Sequence, residues 1–397
     1  MLQGFVHPDF ERVGQALLAQ LPRSGGGGAA LCVHHRGEVV VDCWAGTRDE
    51  QGTPWESDTL ALSYSTTKGV ATTLLHILVD RGLADYDDPV ADYWPEFAQS
   101  GKETITIRQV MCHEAGLYDV RGMVDHARRI LDWDYMVEAL ADAVPAHRPG
   151  AAHGYHGFTY GWLVGELVRR ITGKPFSEVL ELEIAGPLEL DGLFIGVPED
   201  QIHRRARLIL PDVLSRGGNG LQRFERWAKG INRILRFMRM PIDMERLAAA
   251  LVPRGIEELD MNDEGFARAT IPAANGMFTA RSLSRMYALL ANDGELGGTR
   301  LLRRETVWRA GEIQNRGIGR VIPFPMHWRL GYHRVPIPGV KAPNGFGHFG
   351  FGGSGAWADP DRNLAVAMTL NSGVGTPFGD LRMVRIGTAA ARSAERR

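Results

Sequence analysis

Apolar residues recur along this chain with two different spacings, and the places where one gives way to the other outline the elements. The run AALCVHHRGEVVVDCWAG, 29–46, reads as two β-rich stretches around Arg36-Gly37, a hairpin signal. An amphipathic helix is predicted before it, over 13–21, followed by the glycine-rich SGGGG. In LSYSTTKGVATTLLHILVDRGL, 62–83, Val70, Leu74, Leu75 and Leu78 fall at helical spacing, and the pattern stops at Arg81-Gly82. From 84 to about 192, stretches such as YGWLVGELVRRITG and FSEVLELEIAGPL predict helices joined by loops, and ARSLSRMYALLANDG predicts another helix with a glycine stop. After about 327, strands return in HWRLGYHRV, GFGHFGFGG, SGAWADP and NLAVAMTLN, and a last helix closes the chain. Strands at both ends with helices between them predict an α+β fold in which an antiparallel sheet built from both termini packs on a helical middle. The expected division is a discontinuous domain, 1–85 with 265–397, and a mainly helical domain, 86–264. A site would form in the crevice between the two.

Composition narrows the function classes. With 44% hydrophobic and 23% charged residues, the 397-residue chain has the balance of a soluble globular protein. A net charge of -2 makes no case for a nucleic-acid partner. Cys32, Cys43 and Cys112 form no disulfide framework, the start lacks a secretory pattern, and no apolar run has the length of a membrane span. The expectation is a cytoplasmic protein that works on a small molecule without a membrane.

The chemistry turns on Ser65-Thr66-Thr67-Lys68. Serine and threonine favour helix N-termini because their hydroxyls satisfy unpaired backbone N–H groups, so a capped helix start is one reading. Residues three apart on a helix also share a face, so Ser65 Oγ and Lys68 Nζ can meet, and a catalytic pair is the other. Two further places follow in order: Tyr155 in HGYHGFTYGWL, just ahead of a helix, and His348-Phe349-Gly350 on a predicted strand. With these three motifs the chain resembles the serine hydrolases related to class C β-lactamases and low-molecular-weight penicillin-binding proteins, most of all the family VIII carboxylesterases. QVMCHEAGL is similar to that family's H-T-S-G-L segment, LADYDDPVADYWPEF to its L-D-D-P-V turn, and IPAANGMFTARSLSRMYALLANDGEL to the helix before its final strands. The likeness spans roughly residues 8–385 and is weakest over 203–262.

The resemblance implies a β-lactamase/transpeptidase-like fold, no metal and no organic cofactor, and an acyl-enzyme on Ser65. A serine hydroxyl needs a neighbour to take its proton. Lys68 could do so with its pKa lowered by desolvation, or Tyr155 as phenolate beside a charged Lys68; the resemblance favours Tyr155. It also implies an oxyanion hole from the backbone N–H groups of Ser65 and Phe351, with substrate bound along His348, Phe349, Gly350 and Gly157. Relatives that act on β-lactams or peptides usually carry Y-x-N where this chain has Gly157, and β-lactamases usually have K-T-G where it has His348. Both departures point to neutral short-to-medium acyl esters. A β-lactamase, a D-amino-acid-specific peptidase or amidase, and a catalytically silent scaffold on the same fold are the competing readings.

Other features read as structural. Ser354 nearly completes G-x-S-x-G but lies between strands rather than on a strand-to-helix elbow. His34-His35 face opposite sides of a strand, and His153 and His156 lack a ligand cluster, so no metal site is expected. Asp85, Asp87 and Asp88 precede Pro89 in a turn. In 221–238, Leu221, Phe224, Trp227, Ile231, Ile234, Leu235 and Met238 share a helical face, read as packed on its own domain ahead of an acyl-pocket cap or an interfacial helix.

Overall fold

Arg36 and Gly37 both have positive φ, 54° and 81°. That geometry matches the right-handed twist of the two strands they join. The computed structural model describes residues 1–21, 26–209, 243–373 and 381–397. The amphipathic stretch at 221–238 lies outside the described residues.

A seven-stranded antiparallel sheet organises the molecule. Its N-terminal strands are β1 (Gln3–Val6), β2 (Gly28–His35) and β3 (Glu38–Gly46). A three-stranded sheet follows in the chain, made by β4 (Ala61–Leu62), β5 (Leu193–Phe194) and β6 (Met277–Phe278), and β7 (Glu295–Leu296) pairs with β8 (Thr299–Arg300). The C-terminal strands of the large sheet are β9 (His333–Arg334), β10 (Phe346–Phe349), β11 (Gly355–Asp359) and β12 (Leu364–Leu370). The order is β1-β3-β2-β12-β11-β10-β9, so the two ends of the chain meet where β12 pairs with β2, Leu364 opposite His35 through Leu370 opposite Ala29. The first strand, β1, gave no signal in the sequence. Of HWRLGYHRV, only His333–Arg334 is strand.

Among the described residues, the helices that pack against the sheet or stand beyond it include α1 (Glu11–Leu18), α2 (Thr67–Asp80), α3 (Thr159–Thr172), α4 (Met244–Leu251), α5 (Ala280–Ala291) and α6 (Arg382–Ala394). Alternation along β12 separates the two faces of the sheet. Leu364, Val366, Met368 and Leu370 join Val13, Leu17, Met383 and Ile386 in one buried cluster under α1 and α6. Ala365 and Ala367 face the other way with Ala356 and Ala358 of β11, and these small side chains let α5 lie close on the sheet. From that face a contiguous core continues through α2 and α3 to Trp94, Phe97 and Trp162.

Thr67 begins α2, but neither Ser65 nor Thr66 caps it. The expected hydroxyl cap is replaced by a 3-10 turn over Tyr64–Thr66, entered through Tyr64 at φ 45°. Thr67 Oγ1 instead donates to Tyr64 O at 2.5 Å and accepts from Gly276 N–H at 2.9 Å, tying the turn to the segment ahead of β6. The turn leaves the Ser65 hydroxyl free of the helix end.

Because Ala367 is fully buried against α5, Ala367→Leu should overpack that layer and lower stability by about 1–3 kcal/mol. Met368→Leu on the opposite face, which roughly conserves volume, should cost less than about 1.5 kcal/mol. Urea midpoints of the two variants against wild type check the contrast.

Candidate active site

Three separated parts of the chain meet at Ser65: the turn that carries it together with the first turn of α2, the loop before α3 and the end of β10. Tyr155 Oη donates to Ser65 Oγ at 2.7 Å, and Lys68 Nζ lies 3.1 Å from the same oxygen. Lys68 is fully buried and also donates to Gly157 O at 2.7 Å and Ala273 O at 2.9 Å. Its nitrogen stands 4.9 Å from the centre of the Tyr155 ring. Burial without a compensating carboxylate holds the Lys68 amine well below the ordinary lysine range. Burial also pushes the Tyr155 phenol up, opposed by its hydrogen bond with Ser65.

The end of β10 is drawn in by a glycine. A Cβ on Gly350 would stand 2.3 Å from Ser63 O, so only a bare backbone can approach the serine turn this closely. The Tyr64 and Phe351 rings meet edge to face at 5.4 Å across the same junction. Among the described residues, the backbone N–H groups of Ser65 and Phe351 donate to no protein acceptor. Ser354 Oγ donates to Ser63 O at 2.9 Å, which makes it a tie beneath the turn.

His348 is buried, with its ring 6.3 Å from that of Tyr155. Its Nδ1–H donates to Phe349 O at 3.1 Å, which leaves Nε2 as an acceptor with no partner among the described residues. Burial first, then His333 and Lys68, hold the imidazole well below its ordinary pKa, so it is neutral at pH 7. The neighbouring Phe349 departs from expectation. Alternation along the strand turns its ring towards the cluster under α1 and α6, where it also meets the His333 ring at 5.2 Å, while its main chain edges the site. Gly157 contributes its carbonyl to Lys68, and a Cβ there would stand 2.4 Å from Ala250 O and 2.5 Å from Leu251. Helix α4 therefore fills the space that a side chain at 157 would need.

Three neighbours carried no assigned role in the sequence. Trp328 stacks on Tyr155 at 5.5 Å with the planes 6° apart. His333 Nε2 accepts from Phe349 N–H at 3.0 Å and so fixes the strand that bears His348. His113, in QVMCHEAGL, stands 5.0 Å from the Tyr155 ring. Motif likeness marked the segment around His113, whereas nothing local marks Trp328 or His333. Of the histidines considered for metal, His34 pairs with Ser284 Oγ at 2.9 Å and His153 with Gly317 O at 3.1 Å. No group of three or more His, Cys, Asp or Glu side chains among the described residues is arranged to hold a metal ion. Asp85, Asp87 and Asp88 make an exposed turn, with Arg108 on Asp87 at 2.6 Å and Tyr93 on Asp88 at 2.5 Å. No helix among the described residues is long and apolar enough to cross a membrane.

The chain is similar to known proteins over most of its length. Esterase/beta-lactamase LipL of Mycobacterium tuberculosis (strain ATCC 25618 / H37Rv) is 40% identical over 375 residues, covering 93% of this chain and 82% of that protein. The solved structure of a family VIII carboxylesterase superposes with a TM-score of 0.85 at 33% identity, covering 99% of this chain and 100% of the other. A penicillin-binding protein homologue from Caulobacter crescentus gives 0.85 at 34% identity with the same coverage. The beta-lactamase family model matches residues 15–390. With that span, and with its antiparallel sheet and flanking helices, the chain belongs to the beta-lactamase family.

Proposed function

We propose that this protein is a carboxylic ester hydrolase that works through an acyl-enzyme on Ser65. The observation that carries the proposal is the convergence of Tyr155 Oη and Lys68 Nζ on one serine oxygen, at 2.7 and 3.1 Å. In this reading Ser65 Oγ attacks the ester carbonyl carbon as its proton passes to the Tyr155–Lys68 pair. Both groups hydrogen-bond the same serine oxygen, and burial penalises the charged form of each. The backbone N–H groups of Ser65 and Phe351, free of acceptors among the described residues, stabilise the developing oxyanion. Collapse of the tetrahedral intermediate sends the proton to the departing alkoxide, and the alcohol leaves. Water repeats the sequence on the acyl-enzyme, and the carboxylic acid is released.

The surroundings favour an uncharged, apolar substrate. Tyr155 belongs to a cluster with Tyr118, Leu247, Ala250, Val321 and Trp328, against which Met244, Leu251, Ile322 and Met326 pack. His348 is neutral and supplies no fixed cation for a substrate carboxylate. Short-to-medium acyl esters fit these features, and the esterase names of the relatives support the reaction type. The division into a discontinuous sheet domain and a helical domain, 86–264, belongs to the same proposal, with the site at their junction.

Wild type should cleave p-nitrophenyl butyrate far faster than nitrocefin, and Ser65→Ala should abolish ester turnover while melting as wild type does. Faster nitrocefin turnover would favour the β-lactamase reading. Tyr155→Phe should lower kcat by about 10²–10⁴-fold, the usual contribution of a positioned proton-transfer group; unchanged turnover would remove Tyr155 from the mechanism. Because burial lowers the Lys68 pKa, its unprotonated amine appears at lower pH than for a solvated lysine. The ester kcat/KM should therefore rise with pH and level off well below 10.5. A profile still climbing at that value would contradict the assignment.

A further inference from the structure

We propose that His113 is a positioning residue that acts through Tyr155, holding the phenol against Ser65 and favouring its ionised form. The inference rests on the proposed function, in which Ser65 is the nucleophile and Tyr155 takes part in proton transfer. Two contacts with the backbone support the holding role. Gly154 N–H donates to His113 O at 2.9 Å, and His156 N–H donates to His113 Nδ1 at 3.2 Å. The residues on both sides of Tyr155 thus hang from this one histidine. His113 itself is held with φ at 62°, a conformation uncommon outside glycine, and strain of that kind persists only where the surroundings enforce it.

The electrostatic role depends on where the protons sit. Leu117 N–H donates to His156 Nε2 at 3.0 Å, so that nitrogen is an acceptor and the His156 proton is on Nδ1. His156 Nδ1 lies 3.3 Å from His113 Nδ1, which already accepts from the His156 backbone N–H. His156 therefore donates, His113 Nδ1 accepts, and the His113 proton is on Nε2. That N–H has no hydrogen-bond partner among the described residues. The fully buried imidazole that carries it stands among aromatic rings, with Trp328 at 4.3 Å, Tyr155 at 5.0 Å and Tyr160 at 5.0 Å between centres. Every bond in the row is oriented alike, from the Leu117 amide through two imidazoles, so its positive end is the His113 imidazole, which meets the Tyr155 ring edge to face at 5.0 Å. An N–H next to an aromatic ring is a weak attraction when the phenol is neutral, and a stronger one when proton transfer makes the ring electron-rich. The row is fixed in advance and costs no reorganisation when the charge forms.

His113→Asn separates this role from a purely structural one. Asparagine tolerates positive φ, and its side-chain oxygen can still accept from the His156 amide, but the imidazole and its N–H are gone. The variant should melt close to wild type. Its rate of Ser65 labelling by a fluorophosphonate probe and its ester kcat should fall about tenfold, with KM changed by less than about twofold. Loss of the N–H disfavours the ionised phenol and so slows proton transfer, whereas the acid limb of the pH profile, set by the Lys68 amine, should stay in place. In a Tyr155→Phe background the same substitution should change the labelling rate little. An equal loss in both backgrounds, or a wild-type rate in His113→Asn alone, would overturn the proposal. Labelling without ester turnover in wild type would refute only the ester substrate, with His113 still judged on labelling. Failure of Ser65 to label at all would overturn both readings together.

Discussion

A lysine without a counter-charge is the point on which this architecture depends. Lys68 is fully buried, and its nitrogen is surrounded by a serine hydroxyl and two backbone carbonyls rather than by a carboxylate. Burying an ammonium in such a place is costly, and neutralising it is the cheaper course. A neutral amine still has two N–H bonds, enough for Gly157 O and Ala273 O, and a lone pair left for Ser65. The two carbonyls come from the loop before α3 and the segment before β6, so the contacts that tune the lysine also fasten distant parts of the chain to α2.

Packing around that point is governed by close approach. Alanines on one face of β11 and β12 bring α5 onto the sheet. Gly350 lets the end of β10 reach Ser63, and Gly157 lets α4 close over the loop that carries Tyr155. Each is a place where a side chain is missing so that a backbone can come nearer, and the approach of the Phe351 N–H to the serine turn depends on Gly350.

Much of this was legible in the sequence, for reasons that differ by residue. Ser65 and Lys68 are three apart, so their meeting is a local property of a helix start. Tyr155 and His348 are distant and became legible only as ordered motifs resembling a known family. The carbonyls of Gly157 and Ala273 could not be read, because every residue has one and only the fold selects which face the lysine. Trp328 was one tryptophan among several, and its stacking on Tyr155 depends on where a loop crosses the site. The expectation of a hydroxyl cap failed because propensity describes helix ends in general, whereas Tyr64 at positive φ diverts this chain into a 3-10 turn. Phe349 was grouped with His348 by proximity in sequence, and the alternation of a strand separates their side chains.

One physical cause links the proposed chemistry to the proposed substrate. Desolvation is the largest influence on Lys68, Tyr155, His113 and His348 alike. In the proposed mechanism it disfavours the ammonium and so favours an amine able to share the Ser65 proton. The same effect keeps His348 neutral and deprives the strand of a fixed positive charge. A site that activates its serine by exclusion of water cannot also offer a well-solvated cation to an anionic substrate unless a charge is brought in and paired. Among the described residues, the groups packed on Tyr155 besides Ser65 and Lys68 include apolar side chains and neutral imidazoles. Activation of the nucleophile and preference for an uncharged ester are then two consequences of the same burial.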